Sequence, residues 1–202
     1  MSAKPHKSAP RPTAPRPLSA GETALARRVF GVSIDYSRVS VTEGKFIGFQ
    51  PYGTAMAPDG HLYMYGCYKN DYSCEADHWQ GHFIHEMTHV WQQQNGILNP
   101  IAEAMKLSIK FRFNYNAAYD YKLEHGKDLL DYNMEQQASI VQDYFMLKIC
   151  GDSGHLGHCK NICSAQAKIN LLEKTLEKFL QNPSYAAKTA PKDGGKPKPP
   201  TA

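Results

Sequence analysis

Residues 81–96 read GHFIHEMTHVWQQQNG, a run in which three histidines and one glutamate stand among apolar residues. If it forms a helix, His85 and His89 project from one face about one turn apart, within reach of a single ion. Glu86 is its only carboxylate, and it contains no Lys or Arg. Its apolar flanks are Phe83, Ile84, Met87, Val90 and Trp91. The pattern predicts a helix that is buried in a core and carries polar side chains for a ligand.

Two histidines four residues apart, with a glutamate after the first, form the HExxH arrangement. In it the imidazoles bind Zn²⁺, and the glutamate lies beside the open coordination position, where it can take a proton from bound water. Zinc lowers the pKa of such a water from about 15.7 toward about 7. We therefore predict zinc ligands at His85 and His89 and a catalytic general base at Glu86. The alternative is a pair of core histidines without a metal.

A third protein ligand is needed, and the residues after the motif exclude one arrangement. The metzincin pattern has Gly and His where this chain has Gln92 and Asn95. Glu135 is the favoured third ligand, because it falls in the first turn of a second predicted helix, as in gluzincins. Its alternative role is an acidic residue favoured by the helix dipole. The other candidates are His125, His155, His158, Glu103 and Glu124.

His82 lies three residues before His85 on nearly the same face, but a further turn from His89. We expect it to be a core or cleft-wall histidine rather than a ligand. Zinc peptidases commonly add a Tyr or His donor to the developing oxyanion. The candidate donors, among which the sequence does not choose, are Tyr119, Tyr121, His125 and Tyr132.

The two ends of the chain differ from its middle. Ten of the thirteen prolines lie in the end segments, which contain few apolar residues. We expect residues 1–18 to be a disordered proline-rich leader or linker, 19–181 to form one domain, and 182–202 to be a disordered basic tail. Of the formal charge of +4, these ends carry +4 and +3, which leaves −3 for the body. A nucleic-acid partner is therefore disfavoured.

The sequence gives mixed indications of compartment. It has no apolar run long enough to span a bilayer and no apolar stretch typical of a secretory signal. Yet the cysteine spacing predicts disulfides, which require an oxidising compartment. The expected pairs are Cys67 with Cys74, and Cys150 with Cys159 or Cys163. The alternative, a structural zinc site with His155 and His158, lacks a C-x₂-C knuckle.

Predicted strands precede predicted helices, which makes the fold class α+β, a small antiparallel sheet followed by a helical bundle. A capping box at Ser19 begins a helix that ends near Phe30. The predicted strands are 32–41, 45–50 and a hairpin over 53–66 that turns at Asp59 and Gly60. The later predicted helices run from Asp77, as N-cap, to Gly96; from Pro100 to Phe113; from Asn133 to Cys150; and over 164–180.

Four blocks of the chain resemble a known family. LSAGETALARRVFGVSIDYSRV, GTAMAPDGHLYMYG, QGHFIHEMTHVWQQQNG and NMEQQASIVQDYF resemble the zincin-like metallopeptidase domains associated with Vgr and Rhs proteins of bacterial type VI secretion. The resemblance spans roughly residues 18–148. It implies a zincin-like fold, with His85, His89 and Glu135 as zinc ligands and Glu86 as the base.

The resemblance also implies a biological setting. It suggests a toxin-type effector that is secreted without a signal peptide, partners a secretion spike, and is neutralised by an immunity protein. It would act in the periplasm of a target bacterium or in a host cell, on a protein or peptide. Two alternatives stay open: a zinc-stabilised adaptor or cargo module without turnover, and a peptidoglycan amidase or endopeptidase that uses the same site. The edge of the predicted hairpin is a candidate strand for binding a peptide backbone.

Overall fold

The computed structural model describes residues 14–48, 50–97, 115–155 and 157–187. In these ranges the α-helices are α1 Ala20–Phe30, α2 Asp77–Gln94, α3 Met134–Tyr144, α4 Ala165–Thr175 and α5 Glu177–Gln181. The strands are β1 Arg16–Pro17, β2 Ser40–Thr42, β3 Thr54–Met56 and β4 Leu62–Tyr65. A π-helix over Phe145–Ile149 continues α3. Short 3₁₀ turns span Tyr36–Arg38, Tyr72–Cys74, Tyr115–Ala118, Leu129–Asp131 and Pro183–Ala186.

The four strands form one mixed sheet in the order β1-β2-β4-β3. The predicted hairpin is confirmed, since β3 and β4 pair antiparallel across a turn in which Gly60 has a φ of 87°. The prediction of an antiparallel sheet is wrong at one pairing, because β2 and β4 run parallel. The fully buried Leu62 and Met64 draw β4 into the centre of the sheet, which leaves half-buried β3 at the edge.

Most of the two strands predicted before the hairpin is irregular. Over 32–41 only the last residues join the sheet, because the Asp35 carboxylate accepts the backbone N–H of Ser37 and starts a 3₁₀ turn. The segment 45–50 is not a strand. The buried amide of Gln50 accepts from Phe46 N and donates to two strand carbonyls, so it replaces backbone pairing there. Side-chain bonds of this kind compete with sheet formation.

The predicted helix ends are mostly confirmed. Ser19 and Glu22 form the expected capping box of α1, and Asn133 caps α3. The prediction of Asp77 as N-cap is wrong: Ala76 is the N-cap without a side-chain bond, and Asp77 is the first helical residue. Its carboxylate still lies in the first turn, where the helix dipole favours it. The helix predicted from Pro100 to Phe113 lies outside the described residues.

Helix α2 is the centre of the core. It packs mainly against α3 and the π-helix, and its predicted apolar flanks are all fully buried. Gly81 permits the closest approach, since a Cβ there would lie 2.7 Å from Met146 Sδ. The segment predicted as the last amphipathic helix forms α4 and α5, with Leu172 and Leu176 buried. None of the described helices is long and apolar enough to cross a membrane.

The folded region extends beyond both predicted boundaries. Arg16 pairs with Val41 of β2, and its guanidinium makes two bonds of 2.8 Å with the fully buried carboxylate of Glu22. At the other end, Trp91 Nε1 donates to the Pro183 carbonyl at 2.9 Å. Residues 16–18 and 182–186 therefore belong to the domain, which corrects the leader and tail limits, while residues 1–13 and 188–202 lie outside the described ranges.

The expected disulfides are absent. All five cysteines are described residues, and all are free thiols. Cys67 is buried in the core whereas its expected partner Cys74 is exposed, and Cys150 is half-buried whereas its two expected partners, Cys159 and Cys163, are buried and exposed. Because all five thiols are free, the predictions of disulfides are wrong for this structure.

Candidate metal centre

The crossing of α2 and α3 brings together the three predicted ligands. His85 and His89 project from the middle of α2, and Glu135 projects from the first turn of α3. Glu135 Oε2 lies 3.3 Å from the Nε2 atom of each histidine. The relative exposures of the three residues are 5%, 6% and 4%, so the cluster lies in the protein interior. Within the described ranges it is the one group of this type whose ligand atoms all lie within 4.8 Å of one another.

The spacing of these atoms fits a tetrahedral ion. Zinc bonds to His nitrogen and carboxylate oxygen are about 2.0–2.1 Å long, which places neighbouring ligands of a tetrahedron about 3.3 Å apart. Both of the nitrogen–oxygen separations have this value. Two imidazoles and one carboxylate are also a donor set of catalytic zinc sites, with a fourth position left for water or substrate. The residues therefore fit Zn²⁺.

Two glutamine amides orient the histidines. His85 Nδ1 lies 3.0 Å from Gln142 Oε1, and His89 Nδ1 lies 2.9 Å from Gln92 Oε1. An amide oxygen can only accept, so each Nδ1 carries the proton and each Nε2 faces Glu135. Sequence reasoning missed both glutamines. The available signal was spacing, because Gln142 lies two turns after Glu135 on α3 and Gln92 lies one turn after His89 on α2.

The close charges perturb one another strongly. Burial alone would lower the pKa of His89, but Glu135 outweighs it and raises that pKa to about 9. Burial opposes ionisation of Glu135, yet the two imidazoles hold its pKa well below the usual range. Without a metal, the pair is stabilised as imidazolium and carboxylate. A divalent cation can take the place of this shared proton.

Glu86 lies in the same interior with a relative exposure of 4%. Its Oε2 atom has no hydrogen-bond partner among the described residues. Burial first and the Glu86 carboxylate second raise the pKa of the Cys67 thiol to about 11, so this group stays uncharged beside Glu86 at neutral pH. A buried carboxylate oxygen without a donor is costly. A water held in the cluster would satisfy it.

Of the four candidate oxyanion donors, Tyr119 is the one whose recorded contacts include a ligand of the cluster. Its ring centroid lies 5.6 Å from that of His85. Tyr121 donates its hydroxyl to buried Asp143 at 2.6 Å, and Tyr132 donates to the Lys122 carbonyl at 3.1 Å. His125 is exposed in the loop after Tyr121. Tyr119 is therefore the candidate whose ring contacts a predicted ligand, whereas the hydroxyls of Tyr121 and Tyr132 are bound elsewhere.

The remaining candidate ligands lie outside the cluster. Burial lowers the pKa of His82, whose Nε2 has no partner among the described residues. His155 contacts the Asp143 carboxylate at 2.8 Å, and His158 contacts Asp120 at 3.4 Å. Glu124 forms an exposed pair with Lys127. Glu103 lies outside the described residues.

Comparison with known proteins shows that this chain is similar to a spike protein and to its effector domain. No family model matches it. It is 45% identical over 135 residues to the type VI secretion system spike protein VgrG2b of Pseudomonas aeruginosa, a match that covers 66% of this chain and 13% of the spike protein. The solved effector domain of Pseudomonas aeruginosa VgrG2b superimposes with a TM-score of 0.64 at 38% identity, covering 79% of this chain and 84% of that domain.

The chain is a mixed domain of helices and a small four-stranded sheet, and it is related to an effector domain of a secretion spike. The chain belongs to the family of the VgrG2b effector domain. The region of similarity spans 13% of the length of the curated spike protein, about an eighth.

Proposed function

We propose that this chain is a zinc-dependent metallopeptidase of the zincin-like, gluzincin type. The observation that carries the proposal is that Glu135 Oε2 lies 3.3 Å from the Nε2 atom of each histidine, the spacing of neighbouring ligands of a tetrahedral zinc ion, with the unpartnered Oε2 of Glu86 in the same interior. His85, His89 and Glu135 would hold the ion. Zinc, when bound, supplies an activated water and polarises the scissile carbonyl.

The residues of this chain have separate roles in peptide-bond hydrolysis. Glu86 takes the proton of the attacking water at its free Oε2 and delivers a proton to the leaving amine. Tyr119, whose ring contacts that of His85 at a tilt of 37°, donates a hydrogen bond to the oxyanion that develops on the carbonyl. The low exposure of the cluster limits access of bulk water, which strengthens these polar interactions.

Substitution of Glu86 tests the enzymatic role. Glu86→Gln keeps the shape of the side chain but removes its basicity, so zinc should stay bound while cleavage of an unfolded protein falls by at least about 10²-fold. Glu173→Gln, at an exposed ion pair with Lys148, is the matched control. Undiminished cleavage by Glu86→Gln would refute the general-base role.

Family membership supports a role as a type VI secretion effector. The relatives are named a spike protein and the effector domain of that spike. We therefore propose delivery by a spike, without a signal peptide, into the periplasm of a target bacterium or into a host cell, and protection of the producer by an immunity protein. Expression in a test bacterium with and without an added export signal separates the compartments. Growth arrest only with the signal indicates a periplasmic target.

The substrate is a protein or peptide, with the peptide of peptidoglycan as the second candidate. The two share the site and differ in what the cleft must admit. Purified sacculi and an unfolded protein, each incubated with the zinc-loaded chain, distinguish them. Release of soluble muropeptides without protein cleavage would assign an amidase or endopeptidase of the cell wall.

The burial of the cluster also supports an alternative in which the zinc is structural and the chain is not an enzyme. With ligand exposures of 4–6%, zinc would also suit a structural role in an adaptor or cargo module of a spike. In that case metal removal lowers thermal stability, but Glu86→Gln leaves toxicity and secretion unchanged. Thermal stability after metal removal and the toxicity of Glu86→Gln, measured together, therefore distinguish a peptidase from a non-catalytic module.

A further inference from the structure

Gln92 is fully buried and makes three hydrogen bonds that connect the candidate metal centre to α3. Its Oε1 accepts from His89 Nδ1 at 2.9 Å. Its Nε2 donates to the Met134 carbonyl and to Gln137 Oε1, each at 3.0 Å. The Gln137 amide in turn donates to the Tyr132 carbonyl at 2.8 Å. The chain of amides therefore runs from a ligand on α2 to the segment that begins α3.

The donors and acceptors around the Gln92 side chain determine which way its amide points. A primary amide has two N–H donors, and both of those on Gln92 meet acceptors, the Met134 carbonyl and Gln137 Oε1. A flipped amide would turn its oxygen toward two acceptors and leave the Met134 carbonyl and Gln137 Oε1 without these donors in the interior, which is costly. Its oxygen must therefore face His89. Since an oxygen only accepts, His89 carries a proton on Nδ1.

The same amide positions two ligands. Through Oε1 it orients the His89 ring, and through Nε2 it binds the backbone of Met134, the residue before Glu135. Relative displacement of α2 and α3 would stretch the bond to Met134 together with the separation between His89 and Glu135. The glutamine therefore couples ring orientation to the distance of 3.3 Å between His89 Nε2 and Glu135 Oε2.

We infer that Gln92 is a positioning residue of the metal centre, which fixes the tautomer of His89 and holds α3, with Glu135, in register with it. This inference rests on the proposed function, because it assigns a role toward the same ion. Residues of this kind, which contact a ligand rather than the ion, typically change metal affinity by 10–100-fold. Unlike the carboxylate that often has this role, a neutral amide adds no charge to the centre.

Three substitutions in the full chain test the inference. Gln92→Leu removes the acceptor and both donors, whereas Gln92→Glu keeps an acceptor for His89 and loses the two donors to α3. Gln94→Leu is the matched control, since Gln94 lies on the same helix and also makes two hydrogen bonds, both to the Asp35 backbone. Zinc affinity is measured by competition with a chelator, and the Nδ1 proton of His89 is followed by ¹⁵N-edited NMR of the zinc-loaded protein.

We expect Gln92→Leu to weaken zinc binding by 10–100-fold and to abolish the slowly exchanging Nδ1 proton signal. Gln92→Glu should keep the Nδ1 proton signal, because the acceptor survives, and should lose less zinc affinity than Gln92→Leu, because only the two donors to α3 are removed. Gln94→Leu should change neither quantity. A purely structural role predicts instead that both Gln92 substitutions weaken zinc equally, since both lose the donors to α3. That result, or full affinity in Gln92→Leu, would overturn the inference.

Two further outcomes, loss of zinc binding in the unsubstituted chain and failure of Gln92→Leu to fold, have different consequences. If the unsubstituted chain does not bind zinc, the proposed function fails and not the assignment of Gln92 alone. If Gln92→Leu does not fold, Gln137→Leu replaces it, because this variant leaves Gln92 present but removes one of its acceptors. It should weaken zinc binding and speed exchange of the Nδ1 proton, and unchanged values for both would count against the inference.

Discussion

Glu135 Oε2 lies 3.3 Å from His89 Nε2, although the two residues are separated by 46 positions in the chain. Asn133 caps α3 two residues before Glu135, so Glu135 lies in the first turn of that helix, where it faces the middle of α2. The shared oxygen also lies 3.3 Å from His85. The candidate centre therefore depends on the packing of α2 against α3, and substitution of Glu135 is its first test.

Removal of the third ligand should abolish tight metal binding. In Glu135→Gln the amide keeps the volume but loses the negative charge and the anionic donor. We expect zinc affinity to fall by more than the 10–100-fold typical of residues that only contact a ligand. Chelator competition measures it, with Glu124→Gln, on the exposed loop, as the control. Equal affinities for the two variants would remove Glu135 from the site.

The metal-free protein should lose stability as the pH rises through the pKa of His89. That pKa is raised from its ordinary 6.5 to about 9, so the ion pair with Glu135 stabilises the fold fully below pH 6.5 and is lost above 9. Urea unfolding in the presence of a chelator should show the free energy of unfolding falling across this range. Glu135→Gln should flatten the dependence, because the carboxylate that raises the pKa is gone. A free energy that is constant or rises in the unsubstituted protein contradicts this account.

The Arg16–Glu22 pair should make the first strand part of the stable domain. Glu22 is fully buried, and Arg16 binds it through both terminal nitrogens. Arg16→Met would leave this carboxylate without its cation, at a cost of about 3 kcal/mol in the free energy of unfolding. Lys148→Met, at an exposed pair with Glu173, should leave stability unchanged within error. Denaturant titration compares the variants, and equal stabilities would show that the first strand is dispensable.

All five cysteines should titrate as thiols. Under denaturing conditions without a reductant, a thiol reagent should modify five groups per chain, as five free cysteines require. In the native protein the exposed Cys74 and Cys163 should react first, while burial protects Cys67 and Cys159. Only one reactive thiol after denaturation would restore the two disulfides that the sequence spacing suggested.

The features that local sequence predicted share a physical basis. The helix around the HExxH motif, the capping box at Ser19, the Asn133 cap and the hairpin turn at Gly60 depend on residues a few positions apart, and each is present. Such signals act over one helical turn or one β-turn and can be read from spacing alone.

The features that sequence reasoning missed depend on distant partners. The parallel pairing of β2 with β4 follows from which strand is best buried, and the irregular segment at 45–50 follows from the bonds of Gln50 to Thr54 and Tyr63. The hydroxyl of the candidate donor Tyr121 binds Asp143, which lies 22 residues further along the chain. These relationships arise only when the helices and strands pack together.

Anomalous diffraction at the zinc edge, from crystals of the zinc-loaded chain, would locate the ion and its ligands directly. We expect one strong peak per chain about 2.0–2.1 Å from His85 Nε2, His89 Nε2 and a Glu135 carboxylate oxygen, with Glu86 free of the ion. A peak at another set of side chains, or no peak in the α2–α3 crossing at saturating zinc, would contradict this expectation.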